Sequence, residues 1–158
     1  MNIYSPSQVD LEELLLVKKD WDIFANKFIK LPLKVKDVMT SATTDYYLEF
    51  LSKKVGLDQN QSSDLSRIVR DVLLADAFLS DFPALISSKL GVEASIANQI
   101  ANKIVSELFA LAIEDIKNMQ REKFKDRIAQ NRSNQSQQSS QNTNAEQSNV
   151  IDLRKQNQ

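Results

Sequence analysis

Sixteen of the nineteen residues from Asn131 to Asn149 are Asn, Gln, Ser or Thr. No aromatic or β-branched hydrophobe interrupts this tract. Ordering it would cost backbone entropy with nothing apolar to bury in return. The tract therefore divides the chain into a foldable part, residues 1–125, and a polar tail, residues 126–158, expected to be disordered. Beyond the tract comes the short mixed string Val150-Ile151-Asp152-Leu153-Arg154-Lys155. A folded head, a polar spacer and a small apolar tip suggest binding or tethering more than catalysis.

The foldable part is long enough for one domain with one core. Overall charge is -1, unevenly spread. Residues 1–120 carry 13 Lys+Arg against 17 Asp+Glu, a balance of -4, and residues 121–158 carry 7 against 4, or +3. A mildly acidic head argues against a surface for nucleic acid, whose phosphates demand a basic partner. Cysteine is absent, which removes disulfides, thiolate nucleophiles and cysteine-bound metals. Histidine is absent too, so metal sites and general bases lose their commonest supplier. Two glycines in the whole chain leave no glycine-rich phosphate loop. No cofactor is expected. No basic-then-apolar leader opens the sequence, and the longest apolar run, Leu108 to Ile113, is far short of a membrane span. The expected setting is the cytoplasm.

Helical periodicity runs through the head. Ser7 and Asp10 fit a variant capping box. A helix should follow to about Phe28, with Leu11, Leu14, Leu15, Trp21, Phe24 and Phe28 as its apolar face. Leu31-Pro32 ends it, and Pro32 can open a short helix through Val35 and Val38 to Met39. Thr43 or Thr44 is a candidate cap for the next helix, marked by Tyr46, Tyr47, Phe50, Leu51 and Val55 and stopped by Gly56. Leu57 to Ser63 reads as a polar connection. Leu65, Ile68, Val69, Val72, Leu73 and Ala77 form a strong stripe. Asp81 and Pro83 restart the chain in a short helix with Leu85, Ile86 and Leu90, which Gly91 stops. Ile96, Ile100, Ile104, Leu108, Ala112 and Ile116 then recur every four residues. They predict one long helix from Glu93 to about Met119, a central strut, with a polar end from Asn118 to Gln130 that protrudes or frays. The expected architecture is an all-α compact bundle of about six helices, two of them short, built from helical hairpins.

Gly56 and Gly91 lie 35 residues apart. At the same offset Leu51 matches Ile86, Val55 matches Leu90, Leu57 matches Val92, Leu65 matches Ile100, Val69 matches Ile104 and Leu73 matches Leu108. The spacing fits α-helical repeats, although two copies fall short of a solenoid. Duplication and two independent hairpins with the same apolar phase both account for it.

Residues 31–117 resemble an uncharacterised all-helical domain family of small-genome candidate-lineage bacteria. The features that carry the resemblance are Leu31-Pro32, the Val55-Gly56-Leu57 stop, and Asp64 to Ala75. They continue with the break at Ser80-Asp81-Phe82, then Leu90-Gly91-Val92 leading into Ala97-Asn98-Gln99-Ile100-Ala101 and Glu107-Leu108-Phe109. The resemblance implies a helical fold and a bacterial cytoplasmic setting. It brings no activity and no site residues.

No catalytic constellation stands out. Asp10, Glu12 and Glu13 cluster in sequence, as do Glu114 and Asp115, without forming an acid/base pair. Asp71 and Asp76 border an apolar stripe, as amphipathicity alone requires. Arg67 lies three residues from Asp64 and four from Asp71, the spacing of ordinary surface pairs. Trp21, Phe24 and Phe28 read as core, or, if exposed, as a dimer face or partner groove. The basic stretch from Arg121 to Arg132, with Phe124 and Ile128, reads as a solvated helix end more readily than as a membrane or RNA contact.

The leading functional expectation is a non-enzymatic interaction or structural module. Its partner would be another protein, held in the groove between the two helical hairpins; a homo-oligomer is possible. The alternative is a small nucleic-acid-associated regulator using a helix-turn-helix-like hairpin, with Lys53, Lys54, Arg67, Arg70 and Lys89 converging in space. The tip residues Val150, Ile151, Asp152, Leu153 and Arg154 could form a docking motif that adds as a strand to a partner's sheet edge. A chance cluster and fold-back onto the head are the alternative readings.

Overall fold

The computed structural model describes residues 2–130. The expected tail is helical over its first residues, 126–130, and the rest of it, with the Val150–Arg154 motif, lies outside the described residues. Two units are distinguished, residues 1–123 and residues 124–158. In the second, 125–130 is helical, with the Ile128 N–H donating to the Phe124 carbonyl at 3.0 Å.

All regular secondary structure among the described residues of the first unit is helical. Its α-helices are α1 Leu11–Leu16, α2 Lys18–Lys30, α3 Leu33–Thr40, α4 Ala42–Val55, α5 Gln59–Leu73, α6 Phe82–Leu90, α7 Ala94–Lys103 and α8 Ile113–Lys123. A short 3₁₀ turn, Leu79–Asp81, leads into α6, and a π turn, Ile104–Leu108, follows α7. None of these helices is long and apolar enough to cross a membrane.

Helix α5 lies at the centre. Leu65, Ile68, Val69, Val72 and Leu73 are buried along it. It packs against α4 on one side and α6 on the other, and α7 packs on α6. Phe82 and Phe109 stack at 5.9 Å inside the same core. Gly56 stops α4 in the left-handed conformation at φ 75°, and the next N–H, from Leu57, reaches back to the Ser52 carbonyl at 2.9 Å. Gly91 ends α6 in the same way at φ 65°. Only an achiral residue takes that conformation without strain, which is why both stops are glycines.

Several boundaries differ from the expectation. The first helix is broken at Val17, whose extended backbone (φ -116°, ψ 100°) separates α1 from α2. The Ser7–Asp10 capping box does not form. Asp10 has φ 65° and no capping bond, because its carboxylate is committed to α5. Ser41, not Thr43 or Thr44, caps α4 by accepting the Thr43 N–H at 3.2 Å. The stretch expected to be a polar connection is already helical from Gln59, under a capping box of Asp58 with Gln61 at 2.8 and 2.9 Å. The stripe ends at Leu73 and not Ala77, since Ala75 turns left-handed at φ 54°.

The long strut is two helices. A four-residue repeat overshoots an α-helical turn by about 40° at each step, so the stripe from Ile96 to Ile116 would wind about 200° around a straight helix. The chain resolves this with the π turn, where the Phe109 N–H donates to the Ile104 carbonyl at 2.9 Å, and a turn before Ile113. This interruption and the break at Val17 turn the six expected helices into the eight α-helices of the first unit. The expected burial also fails at four positions: Leu15, Tyr46, Phe50 and Ile96 are exposed. Trp21, Phe24 and Phe28 are half-buried, and α2 has no buried residue.

Candidate functional site

The N-terminal helical pair is held to the bundle by charge more than by burial. Asp10 sits just before α1, and its side chain is only 13% exposed. Arg67 donates to it through Nε at 2.9 and 3.0 Å and through Nη2 at 2.6 Å. Arg70 adds Nη1 to Oδ2 at 3.2 Å and also donates to the Val9 carbonyl at 2.9 Å. Val9 is buried beside them. Bidentate guanidinium–carboxylate geometry is the strong form of such a pair. The Arg67 hydrogen bonds hold the Asp10 carboxyl below the usual carboxylate range against the opposing effect of burial. Arg67 also reaches Asp64 at 2.7 Å. It does not pair with Asp71, the partner its i,i+4 spacing allowed, because Asp10 takes the rest of the guanidinium.

A cleft of about 200 Å³ opens between this pair and the end of α5. Leu14, Ile23, Phe24 and Leu74 supply its apolar wall, with Lys27, Arg70, Asp71 and Asp76 among its charged residues. Asp76 is gripped by Lys27 at 2.8 Å and by Lys123 at 2.8 Å. Burial works against its charge, yet the two ammonium groups prevail and its carboxyl is lowered. Asp71 meets Arg70 only at 3.5 Å, and desolvation pushes its carboxyl up.

Gln120 fastens the same region. Its Nε2 donates to the Ala77 carbonyl at 2.9 Å and more loosely to Val72 at 3.4 Å, while its Oε1 accepts the Leu79 N–H at 3.1 Å. The end of α8 thus does not fray at Asn118 as expected; Gln120 is buried. It satisfies backbone groups exposed where Ala75 breaks α5. Gln61 plays a similar part elsewhere, donating from Nε2 to the Leu90 carbonyl at 2.7 Å. Neither glutamine is legible as a site in the sequence, because the spacing of one polar residue does not reveal a partner 29 or 43 residues away.

Outside this anchored region the corner between α1 and α2 is bare. Leu15, Leu16 and Val17 are 57%, 84% and 48% exposed. Glu12 and Glu13 precede them and Lys18 and Lys19 follow, all on the surface. The other exposed apolar side chains are dispersed over α2, α3, α4, α7 and the turn before α8.

The basic residues singled out from the sequence fall into two groups. Arg67, Arg70 and Lys89 line one dent of about 130 Å³ together with Asp64 and Asp71. The two arginines there are already answered by Asp10 and Asp64. Lys53 and Lys54 do not line that dent: Lys53 pairs with Glu49 at 2.6 Å, and the Lys54 ammonium lies 5.8 Å from the Phe50 ring centroid. Helices α5 and α6 pack against each other, and this dent is lined by residues of both. Glu114 pairs with Lys117 at 2.8 Å. No cluster of three or more acidic residues that could hold a metal ion occurs among the described residues. Comparison with family models, with curated proteins and with solved structures finds no match to this chain.

Proposed function

We propose that the chain is a non-enzymatic protein-interaction module whose contact surface is the α1–α2 corner. The observation that carries this reading is the run Leu15-Leu16-Val17. It stands in solvent on an element whose base is pinned by the Asp10–Arg67–Arg70 cluster. Consecutive exposed aliphatics cost solubility and add nothing to the core, so a contiguous patch of them marks a contact surface. The charged side chains beside the neighbouring cleft are bound to one another, a pattern that serves anchorage.

The test is a photo-crosslinking amino acid placed at position 16 of the full chain in cells, with position 102, an exposed Asn on α7, as control. Discrete protein adducts at 16 and none at 102 are expected. Absence of adducts at 16, or equal labelling at both, overturns the proposal. The gathering of Arg67, Arg70 and Lys89 around one dent favours a second reading, a nucleic-acid-associated regulator. Retention of the full chain on DNA or RNA that falls steeply with salt would support it.

A further inference from the structure

The corner is its own complement. Reading from 12 to 19, the sequence is Glu-Glu-Leu-Leu-Leu-Val-Lys-Lys. Two acids, four aliphatics and two bases lie symmetrically about the point between Leu15 and Leu16. A two-fold axis through that point sets residue i of one copy against residue 31 - i of the other. Glu12 then meets Lys19, Glu13 meets Lys18 and Leu15 meets Leu16, with Val17 beside them, while Leu14 stays turned into the cleft of its own copy. Isologous pairing requires this kind of self-complementary patch. A hydrophobic centre with a charged rim is also the usual anatomy of a protein interface.

A second observation points the same way. Lys18 and Lys19 occupy the first turn of α2. Backbone N–H groups give that end of a helix partial positive charge, so cations there are disfavoured. Neither lysine has an ion-pair partner among the described residues, and neither does Glu13. Asp20 in the same turn already answers the helix end, and an acidic partner across the corner would answer the two lysines.

We infer that the partner at the α1–α2 corner is a second copy of this chain, bound antiparallel about the Leu15–Leu16 midpoint. The inference rests on the interaction reading above and deepens it. A three-residue aliphatic centre is small beside the roughly 800 Å² per partner of a standard interface, so the dimer is a weak one. Its rim charges set register and orientation more than affinity.

The experiment is sedimentation equilibrium on the full chain and on two charge-swapped variants, Glu12→Lys with Glu13→Lys and Lys18→Glu with Lys19→Glu. The parent chain should show a monomer–dimer equilibrium. Each variant alone sets like charges against each other at both contacts and should weaken self-association at least about tenfold. Mixed one to one, the variants restore opposite charges at both contacts, and association should return to within about threefold of the parent. The chain carrying all four swaps should dimerise like the parent, which keeps the test decisive if either double variant folds poorly. A parent that stays monomeric up to roughly millimolar concentration, swaps without effect, or a mixture no better than its components would overturn the inference. Position-16 adducts of other masses with a monomeric parent would sink the second copy and leave the interaction reading standing. No position-16 adduct of any mass would remove both.

Discussion

Asp10 joins the N-terminal helices to α5 through a single carboxylate. Its backbone has φ 65°, a region that aspartate and asparagine enter more readily than most residues. That geometry turns the side chain away from α1, where a cap would sit, and toward Arg67 and Arg70. From the sequence, an acid just before a helix reads as a cap, because the arginines that claim it lie 57 and 60 residues away. The pairing makes stability depend on pH with a definite sign. The Asp10 carboxyl is depressed in the folded chain, chiefly by its Arg67 hydrogen bonds. Its contribution is therefore fully present above the unfolded carboxylate pKa of about 3.9 and is lost as pH falls through the lower folded value. Asp10→Asn keeps the left-handed backbone and removes the charge. It should cost about 1–3 kcal/mol at neutral pH, measured by urea unfolding. The difference from the parent should shrink toward zero as pH drops below the folded pKa. A constant difference down to that pH would show that the carboxylate charge is not what holds the helices.

At the scale of elements, helical phase was legible and helix continuity was not. The 35-residue echo holds through most of its length. Leu51 and Ile86 are both buried, as are Leu65 and Ile100, and Val69 and Ile104. Each pair follows or precedes a left-handed glycine. The match fails after Ile104, where α5 continues as α-helix to Leu73 while its counterpart enters the π turn. Apolar periodicity reports which side of a helix meets the core. It does not report whether the helix stays straight, since Val17 breaks one helix and the π turn interrupts another without a proline or glycine. A π turn is equivalent to one residue inserted into an α-helix. Deleting the exposed Ser106 should therefore convert the Ile104–Phe109 bond into an ordinary i,i+4 bond and leave the flanking faces in register. The expected cost is within about 1 kcal/mol. Deleting Asn98, equally exposed but in the regular part of α7, should rotate Ile100, Ala101 and Ile104 by about 100° even if the π turn absorbs the loss. That takes fully buried side chains off the core, at about 2–5 kcal/mol for each large one. Thermal melts of the two deletions should differ sharply; equal losses would mean that the π turn is not a removable insertion.

Across the first unit, burial is concentrated in the middle of the chain. Helix α5 alone holds eight buried residues, whereas α1 and α2 hold none. The all-α class and much of the core from Val35 to Ile116 followed from periodicity, because apolar stripes must be buried together whatever their order, although Tyr46, Phe50 and Ile96 stay exposed and the buried Leu48 belonged to no expected stripe. The first thirty residues have a stripe of the same strength, and there the same rule misled. The half-buried Phe24 and Phe28 touch the core from outside, with Lys36 lying over Phe28 at 5.9 Å, and Leu15 and Leu16 are left mostly in solvent. Exposed apolar residues are the ones a corner for self-association would need, and amphipathicity cannot distinguish a stripe meant for the core from one meant for another molecule. The uneven burial predicts an uneven distribution of local stability. Segments with few buried apolar contacts open well before global unfolding. In hydrogen exchange at concentrations low enough to keep the chain monomeric, amides in α1 and α2 should exchange at least about a hundredfold faster than those in α5. Helix α8 should stay protected as far as Gln120, whose three backbone bonds lock it to the end of α5. Asp10→Asn should accelerate α1 and α2 further while leaving α5 slow, because the ion pairs are what remains when burial is absent. At concentrations that favour dimer, protection should rise at α1 and at the first turn of α2 and nowhere in α7. Equal protection of α2 and α5 in the monomer would show that burial does not govern how this bundle opens.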